Sequence, residues 1–489
     1  MSGRLTLATT GIQGRWLTEE PEYSHFLMNF RQHTKFAFED IEIPCERFSK
    51  FGDVTMCQIP QNKGDLIRSM MLKVTLPPPK MPNETYTVTD NGGQLEIGGS
   101  TEITLYQGST YTFEALDAYT ISKTVNGSEY TYDKYPNMIT KDGNNTTFTV
   151  PYVLPVVPDD EEDAVPYTLY YGKSGVTPVT FKIKSVRWNK SIATRMIDYV
   201  DLKIGSQTIE RLTGEYIYMY NQLNLNSDDI EFVIKPVTSH NSYPIILFKD
   251  YEYRLHLPFY FLRNPSLAIP VCALTKQIVE LEIKTKPYDE LVVEYDRETG
   301  VASAMPSGVI EPEVKSMSVS TDFVFVTEDE RNFLLSKPIE YVITQLQMAQ
   351  FKIKAGQTDR SVMINFDHPV KEMFFVAVSD DLYKHTKITN VNLKFNNNEV
   401  IDSDDLMLSS EQPLKHHTGY IDTEHTFGIH SFSIKPEMYY PTGQVNMSRV
   451  IHKLLNVKIE ESSFDNTVRV YALNYNVLRV ESGLAGLKF

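Results

Sequence analysis

Four histidines fall within the short stretch EQPLKHHTGYIDTEHTFGIH, namely His416, His417, His425 and His430. Imidazole nitrogens are common metal ligands, so this cluster could serve an iron, manganese or zinc enzyme. Such a centre needs three or four ligands that converge on one point, with further groups that orient them. No carboxylate stands at a familiar ligand spacing, which favours loop or interface histidines. We therefore predict no catalytic, cofactor-binding or metal-binding residue and no cofactor.

Other motifs of enzyme chemistry are missing from the sequence. None of the patterns GxGxxG, GxxxxGK[ST], GxSxG and HExxH occurs. The acidic run Asp159–Asp163, DDEED, could offer oxygens to calcium, but the spacing and glycine of an EF-hand are missing. Repulsion between adjacent like charges predicts instead a solvated loop that projects into water.

Cysteines and sequons bear on the cellular compartment. Cys45, Cys57 and Cys272 are too few and too irregularly spaced for a disulfide framework or a zinc site, so we expect free thiols. No secretory signal follows Met1, and we expect the protein to be made in the cytoplasm. Its N-glycosylation sequons, four of which lie within 81–185, are then expected to stay unmodified. They are Asn83, Asn126, Asn144, Asn145, Asn189 and Asn446.

Composition and net charge argue against a protein with membrane-spanning helices and against a nucleic-acid-binding protein. The 489 residues are 41% hydrophobic, which is typical of a globular chain, and no apolar run reaches the roughly 18 residues that a membrane helix needs. The net charge is −16. Sequence-independent binding of nucleic acid requires lysine and arginine to replace counterions, so we expect no direct nucleic-acid binding.

Alternating strands dominate the chain. In DYVDLKIGSQTIERL, apolar Val200, Leu202 and Ile204 alternate with polar residues before a Gly-Ser turn. The pattern returns in NVNLKFNNNEVID, about 190 residues later, and each copy predicts a half-buried hairpin. Two similar β-domains in tandem follow, and short strands with few helices favour sandwiches or jelly rolls.

Three other segments complete the predicted organisation. Residues 81–185 are Thr/Tyr/Val strands without Cys or His, which predicts a small β-domain inserted into the first barrel. Residues 291–320 are polar and punctuated by Gly and Pro, as is typical of a linker. In VTEDERNFLLSKP, Thr327 and Glu330 have capping-box spacing and Pro338 ends the pattern, which predicts a helix that leads into the second barrel.

Several long motifs resemble the double jelly-roll major capsid proteins of large nucleocytoplasmic double-stranded DNA viruses of eukaryotes. PFYFLRNPSLAIP at 258–270 is similar to that family's P-F-W-F-x-R-N-P-x-L-A-L-P, with Tyr260 for tryptophan and Ile269 for leucine. DLKIGSQTIERLTGEY is similar to L-x-I-G-G-x-x-I-x-x-x-x-G-E, with Ser206 for the second glycine. The resemblance also covers the following segments: LATTGIQGRWLTEEPEYSHFLMNFRQHTKFAFE, GDLIRSMMLKVTLP, NFDHPVKEMFF, FSIKPEMYYPTGQVNMSR and RVYALNYNVLRVESGLAGLKF.

The resemblance implies an all-β fold of two tandem eight-stranded jelly rolls, with an insertion that resembles cupredoxin-like sandwiches. Gly172–Gly175 follow the strand TLYY where that group carries copper ligands, so a metal-free module is expected. The implied divisions are an N-terminal arm 1–20, a first jelly roll 21–80 plus 186–290, the insertion 81–185, a linker 291–320 and a second jelly roll 321–489.

A structural role as a major capsid protein of a virion, and not an enzyme, is the function that the resemblance implies. Homotrimers with six similar blades would tile an icosahedral shell, with the insertion outward and the arm, including Arg4 and Arg15, inward. Implied partners are further trimers, a penton protein, minor capsid proteins, an internal membrane near the arm and host-surface glycans. The alternatives are a minor capsid paralogue, a glycan-binding surface protein and a cupin-type metalloenzyme that uses the four histidines.

Overall fold

The computed structural model of the chain describes residues 2–9, 11–27, 32–46, 50–125, 128–132, 137–151, 168–240, 242–243, 249–296, 299–382, 384–421 and 426–489. Strands predominate, and they form two barrels and a smaller insertion. Each barrel has two sheets, which we name 1A and 1B in the first barrel and 2A and 2B in the second. His425 and the acidic run 159–163 lie outside the described residues.

The first barrel is built from two four-stranded antiparallel sheets. Sheet 1A contains, in spatial order, Phe36–Pro44, Ser316–Val326, Leu66–Leu76 and Tyr251–His256. Sheet 1B contains Gln207–Thr213, Ile197–Ile204, Val279–Thr285 and Val54–Ile59. Apolar residues alternate along Leu66–Leu76 and Val279–Thr285, so that Leu72, Val74 and Leu281 meet in a shared core.

The second barrel repeats this arrangement, with additional short strands in one of its two sheets. Sheet 2A contains Ile339–Ile353, Asn466–Glu481 and Pro369–Ser379, joined at its margins by His385–Thr386, Gly428–Ser431, Val445–Asn446 and Leu484–Leu487. Sheet 2B contains Asp359–Met363, Lys453–Ile459, Ile388–Phe395 and Asn398–Asp404. Both predicted hairpins form, and each has a register shift at the same place, at Leu202/Lys203 and at Leu393/Lys394.

The insertion has its own core, formed by residues that include Phe113, Tyr171 and Phe181. One of its sheets contains Ile139–Asp142, Asn145–Thr149, Thr110–Glu114, Glu84–Asp90 and Leu95–Ile97. The other contains Ala302–Ala304, Val292–Tyr295, Val179–Trp188, Thr168–Gly172, Thr120–Val125 and Ser128–Thr131, and Glu102–Tyr106 pairs in parallel with Val179–Trp188.

The observed strand pairing moves two of the predicted domain boundaries. Val179–Trp188 runs across the boundary at 185, and its end pairs with Val292–Tyr295. Ser316–Val326, assigned to the linker 291–320 and the start of the second barrel, instead lies between Phe36–Pro44 and Leu66–Leu76 in sheet 1A. The first barrel therefore ends at Val326. Its last strand has a polar appearance because serines on one face alternate with apolar residues on the other.

Helices are short and lie mainly at the ends of strands. The helix Glu328–Ser336 forms as predicted, but the side chain of Thr327 makes no capping hydrogen bond. The α-helices are Ser2–Ala8, Ile12–Thr18, Ile192–Arg195, Gly214–Asn224, Ser227–Asp229, Lys235–Thr238, Tyr260–Arg263, Glu328–Ser336 and Gln412–His416. Short 3-10 helices occur at Gln61–Lys63, Pro265–Leu267, Val271–Ala273, Tyr288–Glu290 and Met447–Arg449. Short π-helices occur at Ile230–Ile234 and Met407–Glu411. None of the described helices is long and apolar enough to cross a membrane.

Candidate functional site: the junction between the barrels

The three clustered histidines that the structure describes, His416, His417 and His430, do not converge on one point. The His416 ring nitrogen Nδ1 lies 3.1 Å from the carbonyl oxygen of Ile434, whereas His430 packs edge-on against Phe432, with ring centroids 4.8 Å apart. Burial and the nearby His416 lower the pKa of His430 to about 4, so its ring is neutral at pH 7. Among the described residues, no three His, Cys, Asp or Glu side chains gather as metal ligands would.

His417 instead bridges two carboxylates. Its Nε2 lies 2.9 Å from Glu372 and its Nδ1 lies 3.3 Å from Glu437, and the ring is only 3% exposed. Burial alone would lower the pKa of His417, but hydrogen bonds and charges from both carboxylates outweigh it and raise the pKa to about 9. The imidazolium therefore ties the loop that carries Glu437 to the strand that carries Glu372, which is an anchoring role.

The outer face of sheet 2A, which is turned away from its own core, packs on the first barrel. Tyr216 of the helix Gly214–Asn224 contacts Phe374 and Tyr471, with ring centroids 5.6 and 6.1 Å apart. The hydroxyls of Thr213 and Tyr471 lie 2.8 Å apart in the same buried contact. Phe374 and Tyr471 belong to the hydrophobic core of the first barrel, so one apolar core continues across the junction.

The proline-bounded segment PFYFLRNP lies at this junction. Arg263 donates a 3.0 Å hydrogen bond to the Thr344 carbonyl of sheet 2A and pairs with Glu210. Glu210 is fully buried and also accepts a 2.9 Å hydrogen bond from the backbone of Tyr260. Asn264 caps the following turn by accepting from Ser266. A buried ion pair with these additional hydrogen bonds fixes the geometry of the contact between the barrels.

A second ion network crosses the junction at the start of the helix Gly214–Asn224. Glu215 accepts a 2.6 Å hydrogen bond from Lys286 of the first barrel and pairs with Arg469 of the second. Burial would raise the pKa of Glu215, but the charges of Lys286 and Arg469 outweigh it and hold the pKa well below its ordinary value. Both barrels therefore contribute to one buried network.

A cavity of about 120 Å³ remains between the barrels. Lys371 at its wall donates to the Pro436 carbonyl at 2.8 Å, and burial lowers the pKa of Lys371 to about 8. The charged groups at or next to the cavity wall are balanced, three acidic and three basic, which suits cohesion between the barrels better than capture of a charged ligand. They are Glu210, Arg263, Lys371, Glu372, His417 and Glu437.

Sequence reasoning placed no functional role on the buried charges Glu210, Glu215, Lys371 and Glu372. Glu210, Lys371 and Glu372 lie on strands and Glu215 lies in the helix Gly214–Asn224, and groups that contact them lie far away in sequence. Cys45, Cys57 and Cys272 are free thiols, and the Cys45 thiol hydrogen-bonds Cys57, which raises the pKa of Cys45.

Comparison with protein families gives two matches that together span most of the chain. The family described as major capsid protein N-terminus matches residues 24–151 and 167–327. The family described as large eukaryotic DNA virus major capsid protein matches residues 330–486. The junction between the two matched regions falls just after Val326, where sheet 1A ends.

Individual relatives and solved structures agree with these matches. A major capsid protein of Pyramimonas orientalis virus is 28% identical over 340 residues, which are 64% of this chain and 81% of that protein. One from Chrysochromulina ericina virus is 22% identical, with 100% of this chain and 99% of that protein covered.

Two solved structures share the double jelly-roll fold. A quasi-atomic model of the capsid of Paramecium bursaria Chlorella virus 1 has a TM-score of 0.62 at 18% identity and covers 95% of this chain and 100% of its own. The Faustovirus major capsid protein has a TM-score of 0.62 at 10% identity and covers 97% and 95%.

Proposed function

Because this chain belongs to the major capsid protein family of large eukaryotic DNA viruses, we propose that three copies associate into a pseudo-hexagonal capsomer that tiles an icosahedral shell. Its role is structural and not enzymatic, and its place is the capsid of the virion. The observation that carries the proposal is the repetition of sheets 1A and 1B by sheets 2A and 2B within one chain. Two equivalent barrels per copy give six around a threefold axis, and such a block can fill a flat hexagonal lattice.

The insertion and the N-terminal arm are the two parts of each copy that extend beyond this ring. The insertion has a core separate from both barrels, which supports a domain that rises outward as a tower, with host-surface glycans as its ligands. The arm helices Ser2–Ala8 and Ile12–Thr18 leave Leu5, Leu7 and Leu17 exposed, which supports an inward arm that binds minor capsid proteins or an internal membrane. Assembly takes place in the host cytoplasm, with a penton protein at the vertices.

The solution mass of the purified chain tests this proposal. Light scattering on a sizing column is expected to give three times the 56.0 kDa of one copy, and electron micrographs of concentrated protein should show hexagonal arrays. A chain that stays monomeric under all assembly conditions would contradict the capsomer. Abundance in purified particles separates a major capsid protein from a minor paralogue, since only the former supplies most of the particle mass.

A further inference from the structure

Two of the three cysteines meet at one corner of the first barrel. Cys45 follows the strand Phe36–Pro44 of sheet 1A, and Cys57 lies in the strand Val54–Ile59 of sheet 1B. We infer that this pair is a covalent modification site, at which a small disulfide such as oxidised glutathione converts the two thiols into one intramolecular disulfide bond. Each copy carries the whole site, which therefore exists independently of assembly.

The two sulfur atoms already contact each other. The thiol of Cys45 hydrogen-bonds that of Cys57, and the Cys57 sulfur in turn lies 3.8 Å from the carbonyl oxygen of Ile43 and 4.0 Å from that of Pro44. Cys57 belongs to the core of the first barrel, and Cys45 packs against the same core. Both side chains therefore point into one interior, and neither has to cross a strand to reach the other.

Backbone contacts hold the two segments together on both sides of the pair. The N–H of Glu46, directly after Cys45, donates to the carbonyl of Met56, directly before Cys57, at 2.8 Å. On the other side, the Cys57 sulfur contacts the carbonyl of Pro44. A disulfide requires its two Cα atoms to approach within about 7 Å, and these contacts favour that approach.

Burial determines which sulfur an oxidant meets first. Cys57 is fully buried, whereas Cys45 is partly exposed. The Cys45 thiolate attacks one sulfur of the glutathione disulfide, which forms a mixed disulfide and releases one glutathione. The Cys57 thiolate then attacks the Cys45 sulfur, forms the internal bond and releases the second glutathione. Two protein thiols are thus oxidised, one external disulfide is reduced, and both protons leave on the glutathione thiols.

The new bond would fix an outer strand of the first barrel. Phe36–Pro44 lies at the margin of sheet 1A, where its ladder partner is Ser316–Val326, and most of its side chains are exposed. A bond between Cys45 and Cys57 attaches the end of this strand to sheet 1B and closes the loop 46–56. The end of the strand then cannot leave the barrel while the bond is intact.

Cys272 provides a comparison within the same chain. It is also partly exposed, but it lies in the turn Val271–Ala273, and its charged neighbours are Asp65 and Arg331. The other two cysteines contact each other and are not available to it. Glutathione that reacts with Cys272 is therefore expected to remain attached as a mixed disulfide.

Peptide mapping of the full chain after incubation with oxidised glutathione tests the inference. Non-reducing digests should contain one pair of peptides joined through Cys45 and Cys57, and Cys272→Ser should leave that pair unchanged. Cys57→Ala should instead trap glutathione on Cys45, and Cys45→Ser should leave Cys57 as a thiol. If glutathione stays on Cys45 in the wild type, or if both residues remain thiols in the folded chain, the site is overturned.

Thermal melts measure the consequence separately from the bond itself. Oxidation should raise the melting temperature by about 3 °C in the wild type and in Cys272→Ser, and it should leave that of Cys45→Ser unchanged. A bond that forms without any such rise would contradict the fixing of the outer strand. These outcomes are read on single copies, so a chain that never forms trimers would overturn the capsomer and leave this site standing.

Discussion

The outer faces of sheets 1A and 2A show how one fold can carry two different surfaces. On sheet 2A, Phe374, Val376 and Tyr471 are apolar and buried by the first barrel. On sheet 1A, Met71, Lys73 and Ser320 stand at the corresponding places. The hydroxyls of Ser318 and Ser320 donate to Glu42 and Asp40. A surface that is covered during folding can be apolar. A surface that is exposed in the single copy, and that another copy covers only at assembly, must be polar enough to keep the single copy soluble.

The largest difference between the two faces should appear in the cost of removing a large side chain. Phe374→Ala is expected to destabilise the isolated chain by about 3–5 kcal/mol, because it leaves a cavity in the core shared by the barrels. Met71→Ala, at the corresponding place on sheet 1A, should cost about 1 kcal/mol or less, because Met71 is half-buried. Urea unfolding of both variants measures the difference, and equal losses would contradict the difference in burial between the two faces.

The barrels also differ in how they anchor the loop after Tyr251–His256 in sheet 1A and the loop after Gly428–Ser431 in sheet 2A. Arg263 and Glu210 hold the first loop, and an arginine keeps its charge across the accessible pH range. His417 holds the second loop through Glu437, and a histidine can lose its charge. Sensitivity to alkaline pH should therefore reside in the second barrel.

The sign of that sensitivity follows from the pKa of His417. The folded chain raises this pKa from 6.5 to about 9, so protonation favours folding. The contribution, on the order of 3 kcal/mol, is fully present below pH 6.5 and is lost as the pH rises through 9. Thermal melts between pH 6 and 8 should show the onset of this loss in the wild type and not in His417→Gln; above pH 8 the deprotonation of Lys371, whose pKa is about 8, acts in the opposite direction. His430→Gln is the control, because the pKa of His430 lies near 4 and leaves the alkaline limb intact.

Local sequence patterns predicted the repeated hairpins and the helix Glu328–Ser336, because each depends on residues close together in the chain. The linker 291–320 was assigned incorrectly for the same reason: the partners of Ser316–Val326 in sheet 1A lie more than 240 residues earlier. No local pattern distinguishes a strand that returns to an earlier sheet from a polar connection.

The histidines illustrate the same limit at the level of single residues. Their proximity in sequence suggested a common site, but His416, His417 and His430 have separate partners. Glu372 and Glu437, which determine the charge of His417, lie 45 residues before it and 20 after it. Family resemblance supplied the double barrel, whereas the chemistry of the junction required the coordinates of both barrels.

The covered junction also brings two backbones close together. A Cβ atom on Gly419 would lie 2.1 Å from the Gln222 carbonyl oxygen and 2.8 Å from the Leu223 backbone. Gly419→Ala is expected to cost about 1–3 kcal/mol, because the barrels must move apart to admit the methyl group. Gly11→Ala, where nothing lies within 4 Å, is the control and should leave the urea midpoint unchanged. A neutral Gly419→Ala would show that the junction is loosely packed.

The smallest effect should come from charges on the open face. Lys73 lies 3.0 Å from Glu42, whose side chain is 56% exposed, and exposed pairs contribute less than about 1 kcal/mol. Lys73→Ala should therefore barely change the stability of the isolated chain, whereas Arg469→Ala on sheet 2A should be far more costly because it leaves buried Glu215 one partner short. Measurement of both variants below and above the concentration of trimer assembly sharpens the comparison. If another copy covers sheet 1A, assembly removes water from the pair, and Lys73→Ala becomes costly in the trimer alone. An effect that stays small at every concentration would mean that sheet 1A remains open in the assembled particle.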